Sequence, residues 1–151
     1  YLWMFRMNRS VELLDFFVSD LDDMDVTYFE GEDVEAFRER LHEVVGAGEA
    51  KLVKYKDKII GALGYHNLWP GVCEVWAIPN EPIKDKGIYA LTLKYAIEVF
   101  IVAKGFHRMQ ATVLKDDPSE NFFIKLGFKS EGVLEQYDSL KQDYRMWARI
   151  M

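Results

Sequence analysis

The residues able to do chemistry in this chain of 151 residues are few and scattered. Glu74 lies in a stretch where Cys73, Val75 and Ala77 alternate with Glu74, Trp76 and Ile78, the period of two that marks a strand. A carboxylate there can exchange protons if the strand lines a cleft; otherwise it is a solvent-facing or salt-bridged glutamate. His66, at a strand end before Asn67, offers an imidazole on the same terms, its alternative being a surface or hydrogen-bonded histidine. Lys84, Lys86 and Gly87 stand where the longest helical stretch begins. A helix start offers N–H groups and a positive dipole end to a phosphate; with no phosphate nearby, the two lysines are ordinary loop lysines.

Other chemistries fail on spacing. The three histidines form no pair with ligand spacing and a carboxylate, so no metal site is expected. Cys73 is the single cysteine, which excludes an internal disulfide and a multi-cysteine zinc site. Its apolar strand predicts a buried, inert thiol and suits a reducing compartment such as the cytoplasm. Asp20, Asp22, Asp23 and Asp25 lack the glycine and closing glutamate of a calcium loop. Phe122 and Phe123 read as core rather than as a base-stacking pair.

The elements that position these residues follow from periodicity. Alternation from Leu2 to Met7 predicts a strand. Ser10 is placed to cap a helix carrying Val11, Leu14, Phe17, Val18 and Leu21. A second helix follows Asp33, with Val34, Phe37, Leu41 and Val44 or Val45 on one face, closed by Gly46 and Gly48. Lys51–Tyr55 and Ile59–Asn67 read as a hairpin turning at Asp57-Lys58. Trp69-Pro70-Gly71 turns the chain into a third strand, Val72–Ile78. The prolines at 79 and 82 demand a loop, and Gly87–Ala103 is the longest helix. Arg108–Leu114 is a strand, and Asp117-Pro118-Ser119-Glu120 a helix start with an aspartate cap. Strands near Val133–Tyr137 and Asp143–Ile150 complete the order β-α-α-β-β-β-α-β-α-β-β, a mixed α/β sheet in one domain, 1–151.

Composition narrows the function. Half the residues are hydrophobic and 15% aromatic, enough for a core and too apolar for a disordered chain. A net charge of −6 and a pI near 5.1 argue against nucleic acid as a partner. The longest apolar run, Ile59–Tyr65, is far shorter than the ~20 residues of a membrane helix. Tyr1–Arg9 has neither the apolar core nor the cleavage pattern of a signal peptide.

One segment carries a resemblance. Gly105-Phe106-His107-Arg108, the strand after it, and Asp116-Asp117-Pro118-Ser119-Glu120 followed by Lys125-Leu126-Gly127-Phe128-Lys129-Ser130-Glu131-Gly132 resemble the C-terminal half of the GNAT superfamily of acyl-CoA N-acyltransferases. The element order of the whole chain fits that family. Degenerate acetyltransferase-like proteins of this size also occur among tailed bacteriophages, some of them virion components.

The resemblance implies a mostly antiparallel sheet with helices on both faces, and acetyl-CoA lying between two splayed strands. It implies transfer of an acyl group to a small-molecule or protein amine. In the family a [QR]-x-x-G-x-[GA] loop wraps the pyrophosphate. Here that loop reads Lys84-Asp85-Lys86-Gly87-Ile88-Tyr89, so the resemblance assigns cofactor contacts to Lys84, Lys86, Gly87 and Ile88. Tyr89 stands where the family has a small residue, or Ala90 fills that place in a shifted register. Backbone of Val75 and Ala77 is implied to pair with pantetheine, and Glu74 or His66 to take the amine proton. The tyrosine that often protonates the departing thiolate is Phe123 here, and the asparagine opening the same helix is Asp116. These departures set up a second expectation: a non-catalytic interaction protein on the same fold, for example a phage virion or assembly component working through protein partners.

Overall fold

The computed structural model describes residues 9–28, 31–81 and 86–151. The strand expected over Leu2–Met7 therefore lies outside the described residues. Among the described residues seven strands are joined in the order β1-β2-β3-β4-β5-β7-β6: β1 Val11–Asp15, β2 Gly48–Tyr55, β3 Lys58–Trp69, β4 Val72–Pro79, β5 Arg108–Leu114, β6 Lys129–Leu134 and β7 Tyr144–Ile150. The helices are α1 Val34–Gly46, α2 Lys86–Ala96 and α3 Ser119–Lys125. The pairs β1–β2, β2–β3, β5–β7 and β6–β7 are antiparallel and β4–β5 is parallel, so the architecture is the mixed α/β one that the sequence predicts. No helix among the described residues is long and apolar enough to cross a membrane.

The helix expected after Ser10 is not there. Val11–Asp15 is a strand, and only Val18–Asp23 turns helically, as a 3-10 segment. The spacing of Val11, Leu14, Val18 and Leu21 mimics a helical stripe, but a β2 edge is available. Val11 pairs with Tyr55, Leu13 with Val53 and Asp15 with Lys51, and Lys51 Nζ sits 2.7 Å from Asp15 Oδ1. Ladder bonds to β2 supply what a lone short helix must nucleate for itself. The turn after β2 is Lys56-Asp57, with φ of 47° and 65°, a two-residue hairpin turn of positive φ that matches strand twist.

The chain divides into two compact units. The first takes in the chain through His66 and again from Trp76 to Lys104; the second comprises Asn67–Val75 and Gly105–Met151. In the first, the period of two sorts β2 between two helices. Ala50 and Leu52 join Phe16, Val18, Leu21, Leu41, Ala62 and Ile78 in one cluster, with α1 packed on β2. Asp33 caps α1, its Oδ1 accepting from Ala36 N–H at 3.2 Å. The neighbouring β2 positions belong to α2, with Lys51 Nζ 5.5 Å from the centre of the Phe100 ring. The long helix runs on from α2 as a π turn, Ile97–Ile101, and a 3-10 turn, Val102–Lys104; the π turn buries Ile97, Phe100 and Ile101.

In the second unit, Met109, Ala111 and Val113 of β5 are buried, while Arg108, Gln110, Thr112 and Leu114 are half-buried. Phe123, Leu126 and Phe128 are buried, and α3 packs on β5. The last hairpin departs from expectation. β6 is Lys129–Leu134 rather than Val133–Tyr137, because Asp138 organises the later residues into a turn. Its carboxylate accepts from the N–H groups of Leu140 and Gln142, and from Gln142 Nε2 and Tyr144 OH.

Two interactions in the first unit make measurable predictions. A Cβ on Gly64 would lie 2.6 Å from both Glu49 O and Trp76 Cζ2. Gly64→Val should therefore lower unfolding free energy by about 1–3 kcal/mol in denaturant titrations, and an unchanged midpoint would remove Gly64 as a packing constraint. Glu49 accepts from Lys104 Nζ at 2.8 Å and from Tyr65 OH at 2.5 Å, and these partners, Lys104 first, hold its carboxyl below the ordinary range. A carboxyl lowered on folding stabilises above its unfolded pKa of about 4.3 and loses that stabilisation as pH falls through the folded value. Because the Glu49 side chain is 47% exposed, its contribution at neutral pH is on the order of 1 kcal/mol or less. The stability gap between wild type and Glu49→Gln should close between about pH 5 and pH 3; a gap independent of pH would contradict this assignment.

Candidate functional site

The site is built outward from β4. Its registered pairs with β5 are Val72↔Arg108, Cys73↔Met109 and Glu74↔Gln110. β4 continues to Pro79 and β5 to Leu114, so Glu74 belongs to the last registered pair. Strand alternation buries Cys73 and Val75 and leaves Glu74 half-buried. Burial pushes the Cys73 thiol up to about 12, which keeps it protonated and inert, as the sequence predicts.

Glu74 stands in a polar row. Its Oε1 accepts from Thr112 Oγ1 at 3.3 Å, while Arg108 Nε donates to Gln110 Oε1 at 3.0 Å. Arg108 also grips Glu131 with two bonds, 3.0 and 2.5 Å. The pairing raises Arg108 and lowers Glu131 from their ordinary values, so the guanidinium is neutralised locally. The row presents a carboxylate held by a hydroxyl, suited to receiving a proton. Thr112 and Gln110 were not among the residues singled out from sequence. Their signal was only the alternation of β5, which puts them on the Glu74 side of the parallel pair.

The other predicted residues fall as follows. His66 is half-buried on β3 and pairs with Gly48 of β2. It belongs to the first unit and Glu74 to the second. Val75 is buried and Ala77 exposed. Lys84 lies outside the described residues, and Lys86 opens α2. Gly87 is exposed, and Ile88, Tyr89 and Ala90 are half-buried. Burial, with the charge of Glu81 adding to it, pushes the Tyr89 phenol well above its ordinary range; Tyr89 is a neutral side chain seated in protein. No acid sits in the first turn of α2, so nothing in that turn opposes the dipole's attraction for an anion.

At α3 the structure shows what the substitutions do. Phe123 is buried, with ring centres 5.7 Å from Phe122 and 5.2 Å from Phe128. It is a core residue with no proton to give. Asp116 has φ of 65°, a left-handed conformation that Asp and Asn tolerate best after glycine. Its N–H donates to Glu120 Oε1 at 2.5 Å, and Asp117 Oδ1 accepts from Ser119 N–H at 2.9 Å. Glu120, buried, is gripped by Arg145 of β7 at 2.9 and 3.1 Å. The sequence marks Glu120 as a cap residue but cannot show Arg145, 25 positions away, as its counter-ion. Among the described residues no group of histidine, cysteine or carboxylates could hold a metal ion.

No family model matches the chain, and no curated protein does. Solved structures do. The ribosomal L7/L12 alpha-N-protein acetyltransferase RimL in complex with coenzyme A matches with a TM-score of 0.70 at 16% identity, covering 94% of each chain. A variant of the spermidine N-acetyltransferase SpeG from Vibrio cholerae matches with 0.70 at 18% identity, covering 95% of each. The microcin C7 self-immunity acetyltransferase MccE, in complex with acetyl-CoA and AMP, matches with 0.69 at 15% identity, covering 97% of this chain and 95% of its own. With the strand order, the parallel β4–β5 pair and the helix between those strands, these likenesses give this chain the fold of the GNAT acetyltransferases.

Proposed function

We propose that the chain is an acetyl-CoA-dependent N-acetyltransferase acting on a small-molecule or protein amine. The observation that carries this reading is Glu74. It is half-buried, held by Thr112, and placed at the last registered β4–β5 pair. The same fold houses a ribosomal protein acetyltransferase, a spermidine acetyltransferase and an acetyltransferase holding acetyl-CoA.

The residues present fit the cofactor in two respects. Gly87 is exposed and has no side chain to obstruct backbone approach to phosphate. β4 runs on past Glu74 through Val75 and Ala77, where backbone groups can pair with the amides of pantetheine. In this reading Gly87, Ile88 and Ala90 N–H groups hold the pyrophosphate, with Lys84 and Lys86 adding charge. Acetyl-CoA, when bound, supplies a thioester acyl group. Glu74 takes the proton from the acceptor amine, directly or through water, and His66 is the alternative base. Phe123, in the core, offers no proton to a leaving thiolate, and water would have to supply it. Losing a general acid typically costs ~10²–10⁴-fold in rate, which slows transfer without preventing it.

The burial of Phe123 and the seating of Tyr89 in protein favour a rival: a non-catalytic interaction protein on this fold, for example a phage virion or assembly component. Calorimetry with acetyl-CoA separates the two. Saturable binding is expected, followed by acetylation in a screen of spermidine and peptides with free N-termini. Glu74→Gln should lower kcat by on the order of 10²-fold while leaving acetyl-CoA affinity within about twofold. Absence of binding heat at millimolar acetyl-CoA would overturn the enzyme reading in favour of the rival.

A further inference from the structure

The polar row on β5 has a direction that the acyl-transfer reading leaves unused. Arg108 donates to both oxygens of Glu131, at 3.0 and 2.5 Å, and this forked pair fixes the plane of the guanidinium. Its Nε–H then donates to Gln110 Oε1 at 3.0 Å. Arginine carries donors only, so the Gln110 carboxamide must turn its oxygen toward Arg108 and its nitrogen away. The Gln110 side chain is half-buried, and its nitrogen is not sealed in the interior. Among the described residues no acceptor takes the N–H groups of that nitrogen.

Strand register puts this donor beside Glu74. The two residues form the last registered pair of the parallel ladder. The pair before it, Cys73 and Met109, is buried, so alternation sends Glu74 and Gln110 together to the opposite face. Paired strands run about 4.8 Å apart, which sets the scale of the separation. Thr112, one step further along the same face of β5, holds a Glu74 oxygen at 3.3 Å. An ionised carboxylate accepts only, and a carboxamide nitrogen donates only. Side by side, they offer one acceptor for an N–H and one donor for a C=O.

We propose that Gln110 is a specificity-determining residue, selecting acceptor amines that carry a carbonyl on the amine-bearing carbon over amines with plain hydrocarbon there. The proposal rests on Glu74 as the base. The amine N–H meets Glu74, and the carbonyl oxygen accepts from Gln110 Nε2. Arg108 is a positioning residue that acts through Gln110: with Oε1 engaged, the carboxamide cannot flip and confront the carbonyl with a second oxygen. A hydrocarbon amine covers Gln110 Nε2 without pairing it, and an unpaired donor taken from water costs more than a missing contact. At a half-buried position this discriminates by about tenfold, well short of the 10⁴-fold or more of a fully enclosed polar pocket.

The test compares two acceptors of one shape in acetyl transfer from acetyl-CoA: alaninamide, and 3-methylbutan-2-amine, in which an isopropyl group replaces the carboxamide. The two amines differ in basicity, so the quantity read is the change in their kcat/KM ratio between variants, in which basicity cancels. Gln110→Leu should lower the ratio of alaninamide to hydrocarbon amine about tenfold. Gln110→Glu keeps an oxygen for Arg108 and turns a second one toward the acceptor, and should lower the ratio at least as far. A merely structural role for Gln110 would slow both acceptors together; a ratio unmoved in both variants, with Glu74→Gln still slow, overturns the proposal and leaves the base assignment standing. Absence of acetyl-CoA binding to the wild-type chain overturns the enzyme reading and this proposal together.

Discussion

Three backbone pairs, Val72 with Arg108, Cys73 with Met109 and Glu74 with Gln110, join the one parallel strand pair registered among the described residues. Parallel neighbours cannot be linked by a tight turn; the chain must travel back the length of the strand before it can pair. Here it leaves β4 at Pro79, returns through α2 and its π and 3-10 continuation, and enters β5 at Arg108. A helix that makes this return starts where β4 ends. That requirement, rather than any side chain, sets Gly87 and the N-terminal end of a helix dipole at the start of the crossover. The shortness of the ladder does the rest, because Glu74 occupies its final pair while β4 continues.

Much of this was legible in the sequence because it rests on local signals. The alternation from Cys73 to Ile78 marks β4. The prolines after it forbid continuation, and Gly127 with φ of 86° ends α3 where a left-handed residue is needed. Asp33 caps its helix, whereas Asp117 precedes the N-cap Pro118 and accepts from Ser119 N–H. What was not legible depends on partners distant in the chain. Val11–Asp15 carries a helical stripe and still forms a strand, because β2, some forty positions later, offers a ladder and Lys51 as counter-ion to Asp15. β6 ends early because Asp138 draws four donors into the next turn. Glu120 and Arg145, and Glu49 with Tyr65 and Lys104, are pairings that only the folded chain reveals.

The candidate site shows the same division. Glu74 could be named from sequence, but not Thr112 as its hydrogen-bond donor, nor that Arg108 is occupied by Glu131. Glu74 is on β4 and His66 on β3, where it pairs with Gly48. The two departures from the family pattern also differ in consequence. Phe123 is taken into the core with Phe122 and Phe128. Tyr89 is buried enough to raise its phenol well above the usual range, so it enters the first turn of α2 as a neutral, space-filling group.

In the function proposed above, coenzyme A would be held by the amides at the start of α2 and by the backbone of β4 beyond Glu74. Backbone amide shifts recorded as coenzyme A is added test it most directly, since they report the very N–H groups invoked. The account predicts saturable shifts at Val75, Ala77, Gly87, Ile88 and Ala90 that titrate with a single affinity. Shifts absent from these amides at saturating coenzyme A, or present in β4 without α2, would contradict it.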